Sequence, residues 1–141
     1  MSVAVDVLMK ARYEYFKKYY GRVLLENPDD ADANLNLGIL AGQYKDYNEA
    51  LKRLNKLLET DPRNSAALNN LGNVSFALEK YDEARDFYMK AARADPYDGD
   101  IWLNLARTAV RTGKKDDVKT FVDRAVKINP ELKNIADKLA K

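Results

Sequence analysis

Proline occurs at positions 28, 62, 96 and 130, each preceded by Asn or Asp, so the same two-residue break recurs every 34 residues. The residue before a proline is pushed out of helical geometry, and 34 residues is the length of one helix–turn–helix unit. A fixed period constrains the fold more than local propensity does, because each unit carries an apolar face that only its neighbours can cover. The 141 residues divide accordingly into repeats at 31–64, 65–98 and 99–130, with a closing helix at 131–141. Residues 1–30 form a degenerate repeat or a capping helix, and the whole is expected to be one domain.

Aligned on the prolines, the repeats agree column by column. The seventh column is Leu37, Leu71 and Leu105; the eighth is Gly38, Gly72 and Ala106; the twentieth is Ala50, Ala84 and Val118. Small residues on two antiparallel helices let their backbones approach, so Gly38 is expected to face Ala50, and Gly72 to face Ala84. Apolar residues recur at helical spacing on both helices of each unit, as at Leu68, Leu71 and Val74 or at Leu51, Leu54 and Leu58. Short polar turns at 44–46, 79–80 and 112–114 separate the helices, and only Gly113 supplies an easy left-handed residue. Ser65 and Asp98 or Asp100 are the expected helix caps. The stripe Tyr13, Phe16, Tyr20 and Val23 fits one amphipathic helix packed on the first full repeat.

Composition removes much chemistry. With no Cys and no His there is no thiolate, no disulfide, and neither the commonest general base nor the commonest metal ligand. Asp95, Asp98 and Asp100 lack the spacing of a calcium loop, and no nucleophile–base pair stands out. The expectation is a non-enzyme with no catalytic residues, no cofactor, no metal and no small-molecule substrate. No stretch has the length of a membrane span and no leader pattern opens the chain, which makes a cytoplasmic setting the default for a whole protein or an excised domain. The net charge of +2 is uneven: residues 28–110 hold ten Lys/Arg against fourteen Asp/Glu, and residues 111–141 nine against five. An acidic middle opposes a nucleic-acid partner.

The strings "LNNLGN", "YDEA" and "ADP" within 65–98 resemble a tetratricopeptide repeat. The segment 31–64 resembles it through "LNLG", "DYNEA" and "TDP", and 99–130 through Trp102, "LNLA", Gly113 and "INP". This resemblance implies an all-α fold, a right-handed α-solenoid of antiparallel helix pairs, and a role in protein–protein interaction. In that family the first helices line a concave groove. Transferred column by column, the groove would take Leu35, Asn36, Ile39 and Gln43 from the first repeat. The second would give Asn69, Asn70, Asn73 and Phe76, and the third Leu103, Asn104, Arg107 and Arg111.

Asn carries both a donor and an acceptor for a peptide main chain, and Leu35, Ile39, Phe76 and Leu103 would add apolar pockets. The partner implied is a peptide or helix of another protein. Asn36, Asn70 and Asn104 share a column that also serves helix packing, whereas Asn69, Asn73, Arg107 and Arg111 depart from a packing role. The clamp of Asn and Lys/Arg that some members close on a C-terminal carboxylate is not matched, since Asn69 stands where that pattern has Lys. A self-associating scaffold, a homo-oligomer, is the competing expectation. If the faces are assigned correctly, Trp102→Ala lowers unfolding free energy by roughly 3–5 kcal/mol, and Asn73→Ala stays within about 0.5 kcal/mol, as read from denaturant midpoints.

Overall fold

The computed structural model describes residues 2–141. Among them are eight α-helices and no strand: α1 Val3–Glu26, α2 Ala31–Gln43, α3 Tyr47–Thr60, α4 Ser65–Ala77, α5 Tyr81–Ala94, α6 Gly99–Arg111, α7 Lys115–Ile128 and α8 Lys133–Ala140. A short 3-10 turn, Pro130–Leu132, precedes α8. The chain separates into two compact units, residues up to Pro62 and residues from Arg63 onward. None of the described helices is long and apolar enough to cross a membrane.

In the first unit α2 and α3 form a packed pair, and α1 lies against α2. Residues 3–26 make one continuous helix, so the N-terminal segment is not itself a helix pair. In the second unit α4 pairs with α5 and α6 with α7, and α8 rests on α7.

Helix boundaries follow from local chemistry. Asp30, Asp46, Asn64 and Asp98 each accept a hydrogen bond from a backbone N–H at the start of the helix that follows. Ser65, an expected cap, is instead the first helical residue, and its hydroxyl donates to the Ala91 carbonyl. The helices before each proline end at Asn27, Asp61, Asp95 and Asn129, all near φ −135° with an extended backbone. A proline at the next position leaves little else open to them.

The turns inside each pair share one geometry. The N–H groups of Asp46, Lys80 and Lys114 reach back to the carbonyls of Ala41, Ser75 and Ala109, at 2.8, 2.9 and 3.0 Å. The residue before each of these adopts positive φ: Lys45 at 68°, Glu79 at 60° and Gly113 at 72°. This is the Schellman closure, which needs a left-handed residue, and two of its three sites carry a Cβ that disfavours it.

The pairing of the small columns differs from expectation. A Cβ on Gly38 would stand 2.8 Å from Leu54, and one on Gly72 2.5 Å from the Tyr88 ring. The glycines therefore admit the twenty-fourth column, Leu54 and Tyr88. Ala50 and Ala84 are fully buried, but they are not the glycines' nearest neighbours. Large side chains at this contact call for a residue with no Cβ opposite them.

Trp102 anchors the α6–α7 pair. Its indole Nε1 donates to the Pro96 carbonyl at 2.9 Å, its ring meets Phe121, and the Arg124 guanidinium lies 4.6 Å from its centroid. Asn34 occupies the same column in α2 and makes the equivalent bond, Nδ2 to the Pro28 carbonyl at 3.0 Å.

The first unit is closed by Tyr13, which stacks on Tyr44 at 4.8 Å and donates to Asp46 Oδ2 at 2.7 Å. Asp46 also caps α3 and lies 3.7 Å from Lys17. The Tyr13 hydroxyl, first of all, holds its carboxyl below the usual range.

Glycine at the two strained turns should relieve them. Lys45→Gly and Glu79→Gly are each expected to raise stability by about 0.5–1 kcal/mol, and Gly113→Ala to lower it by about 1 kcal/mol. Urea midpoints at unchanged m-value measure this. Loss of stability in both glycine variants contradicts the strain.

Candidate functional site

Helices α4 and α6 of the second unit carry eight of the twelve residues named from sequence, and a hydrogen-bond chain joins five of those eight. Asn104 Nδ2 donates to Asn69 Oδ1 at 3.0 Å, and Arg107 Nη1 donates to Asn104 Oδ1 at 2.9 Å. Tyr88 donates its hydroxyl to Asn73 Oδ1 at 2.7 Å. Longer contacts of 3.5 Å run from Asn104 Nδ2 to Asn73 Oδ1 and from Asn73 Nδ2 to Asn70 Oδ1. Asn70 is also tied to its own helix through the Ala66 carbonyl. Arg111 lies over the Phe76 ring, 5.9 Å from its centroid.

Asn73, Phe76, Asn104 and Arg107 line a cleft of about 230 Å³, with Tyr88 as the fifth wall. That is below the roughly 300–1,000 Å³ of pockets for drug-sized ligands, so it suits a single side chain or a stretch of main chain. Its polarity is lopsided. The oxygens of Asn69, Asn73 and Asn104 all accept from within the protein, and the Asn104 amide spends both its hydrogens there, so the donors left for a ligand are those of Asn69, one hydrogen of Asn73 and the guanidiniums. No carboxylate pairs with Arg107 or Arg111 among the described residues. An acceptor-rich, negatively polarised group is what such a surface takes.

The other residues fall differently. Leu103, expected to offer an apolar pocket, is 2% exposed and belongs to the core, where a ligand does not reach it. The α6 stripe is wider than the column transfer assumed: Ile101, Trp102 and Leu103 are buried in succession. In the first unit, Asn36 and Gln43 are exposed on α2, and Leu35 and Ile39 are half-buried there.

Tyr88 joins the asparagine cluster although it lies on α5, outside the first helices to which the groove columns belong. Its ring is 2% exposed and passes through the gap opposite Gly72, which carries its hydroxyl to the Asn73 side. Glycine in the eighth column opposite Tyr in the twenty-fourth is the signal that could have found it, since the first repeat has Leu54 there and the third Val122. A larger cleft of about 700 Å³, floored by Val110, Val118, Val122 and Leu139 and edged by lysines, contains none of the named groove residues.

Asn73 is therefore not a free surface residue. Removing its side chain strands a buried phenol, so Asn73→Ala is expected to lower stability by about 1–3 kcal/mol instead of leaving it unchanged. Burial, first of all, pushes the Tyr88 hydroxyl up from its ordinary value, with Arg107 opposing, and burial together with Asp46 raises Tyr13. A raised tyrosine contributes stability that is complete below the unfolded value near 10 and is lost as pH climbs toward the folded value. Melting temperature should fall above about pH 10, with a smaller fall in Tyr88→Phe and in Tyr13→Phe. An identical alkaline slope in both variants contradicts this.

Two sequence profiles described as tetratricopeptide repeat match the chain, one over residues 40–99 and the other over 75–141. Among curated proteins no sequence match was found. Solved structures similar to it include TTC0263, a thermophilic tetratricopeptide protein of Thermus thermophilus, with TM-score 0.79 and 21% identity over 97% of this chain and 78% of that one. MamA aligns with TM-score 0.77 and 19% identity over 99% of this chain and 91% of that one. YrrB, described as a tetratricopeptide protein with an unusual peptide-binding site, gives TM-score 0.77 and 29% identity over 86% of this chain and 62% of its own. The 34-residue period, the helix pairs, two of them closed at a glycine, and the two profile matches together make this chain a member of the tetratricopeptide-repeat family, with that family's all-α fold of antiparallel helix pairs.

Proposed function

We propose that this chain is a non-catalytic protein–protein interaction module that holds a peptide or helix of a partner on the α4–α6 face of its second unit. The observation that carries the proposal is the outward set of N–H donors beside the Phe76 ring and two guanidiniums that no carboxylate among the described residues neutralises. An extended segment brings backbone carbonyls to the asparagine amides, and an acidic side chain of the partner lies against Arg107 and Arg111. The Phe76 ring at the cleft edge adds an apolar contact for a neighbouring side chain of the partner. The amides are already fixed by bonds to one another and to Tyr88, so the receptor loses little conformational entropy on binding. The likeness to YrrB, whose description includes a peptide-binding site, supports the same reading.

A displayed library of random peptides selected on the wild-type protein tests it. Enriched peptides should be rich in Asp or Glu, bind more weakly as salt rises, and lose at least about tenfold in affinity to an Arg107→Ala/Arg111→Ala variant, roughly 1.4 kcal/mol. Peptides that bind the variant equally well place recognition elsewhere on the molecule, and a selection that enriches nothing contradicts the proposal.

A further inference from the structure

In α1 the apolar residues extend well beyond the face that is packed. Its buried residues are Tyr13 and Leu24, on the side that meets α2 and the α2–α3 turn. On the adjoining side Val5, Leu8, Tyr15 and Tyr19 recur along the helix, and they are 42, 69, 66 and 54% exposed. Phe16 and Val23 lie half-buried along the same stripe. Register explains why it is open. Phe16 and Tyr20 stand 34 residues before Ala50 and Leu54, the columns of α3 that the first helix of its pair seals to 0% exposure. Among the described residues α1 is a second-type helix without a first-type partner.

We infer that this face is the interface of a symmetric antiparallel α1–α1 dimer between two copies of the chain. The stripe is close to palindromic about residue 14. Turned end for end, Val5 meets Val23, Leu8 meets the Tyr19–Tyr20 turn, and Arg12 lies against Phe16, where a guanidinium over an aromatic face is favourable. The ends match in charge as well: residues 3–8 contain one charged group, Asp6, and the opposing 20–25 contain one, Arg22. A two-fold pairing of this kind uses the same patch on both copies and closes on itself.

Covering Val5, Leu8, Tyr15 and Tyr19 removes on the order of 500 Å² from each copy, roughly 1,000 Å² in all, which lies at the lower limit for specific interfaces. The dimer is accordingly a weak one, formed at micromolar concentrations and above. It uses none of the α4 and α6 residues assigned to peptide binding, and the two proposals stand or fall separately.

Sedimentation velocity from about 1 µM to about 1 mM is expected to show conversion of monomer to dimer and nothing larger. Leu8→Glu and Tyr19→Glu should each weaken it at least about tenfold, with helical circular dichroism and melting temperature unchanged because both side chains are exposed. The chain has no cysteine, so single thiols report the register. A mixture of Leu8→Cys and Tyr19→Cys proteins should form a disulfide-linked heterodimer under mild oxidation. Either variant alone should not, because two copies of position 8 lie about 18 Å apart along antiparallel axes and a disulfide spans less than about 7 Å. A wild-type protein that stays monomeric throughout, growth beyond the dimer, or self-linking of the single variants as efficient as the mixture would overturn the inference.

Discussion

A helix pair closes only as far as its tightest contact permits, and here that contact is glycine against the twenty-fourth column. With Cβ positions 2.8 Å from Leu54 and 2.5 Å from Tyr88, neither Gly38 nor Gly72 has room for a methyl group. In these two pairs Ala50 and Ala84 are sealed from water at 0% exposure. In the second pair the same contact has a chemical result. The gap left by Gly72 is filled by a phenol, and the phenol's hydroxyl fixes the orientation of Asn73 on the opposite surface.

The amide cluster therefore behaves as one polarised object and not as four separate asparagines. Its oxygens and the Asn104 amide are committed to one another, the Asn69 amide stays free to donate, and the two arginines add positive charge that no carboxylate among the described residues neutralises. The surface thus stands where the acidic stretch, fourteen Asp/Glu against ten Lys/Arg over residues 28–110, gives way to the basic segment that Arg111 opens. Such a contrast favours acidic over basic ligands at this surface.

Periodicity made the fold legible. The Asn/Asp-Pro steps mark where four helices stop, and the columns of Leu and small residues identify the packed faces, all before any coordinate is known. What escaped was side-chain reach. Ala50 looked like the partner of Gly38 because both are small, but small residues are needed opposite large ones, and Leu54 was the large one. Asn73 looked replaceable because it is exposed, yet its oxygen serves a residue fifteen positions away. Leu103 was assigned to the groove by its column, but in α6 three consecutive apolar residues are buried, so the column rule that holds for α4 fails there. The asymmetry of α1 was half visible: its aromatic stripe was plain, whereas its full 24-residue length and its uncovered flank depend on tertiary packing.

The only tryptophan, Trp102, lies in the second unit, 9% exposed beneath a proline carbonyl and an arginine. Its emission consequently reports the environment of residues 63–141 and is silent about the first unit, whose chromophores are tyrosines. Repeat proteins unfold by local steps whose free energies need not be equal. In this chain the two ends are spectrally distinct without any label, so the order in which they come apart is inscribed in its own fluorescence.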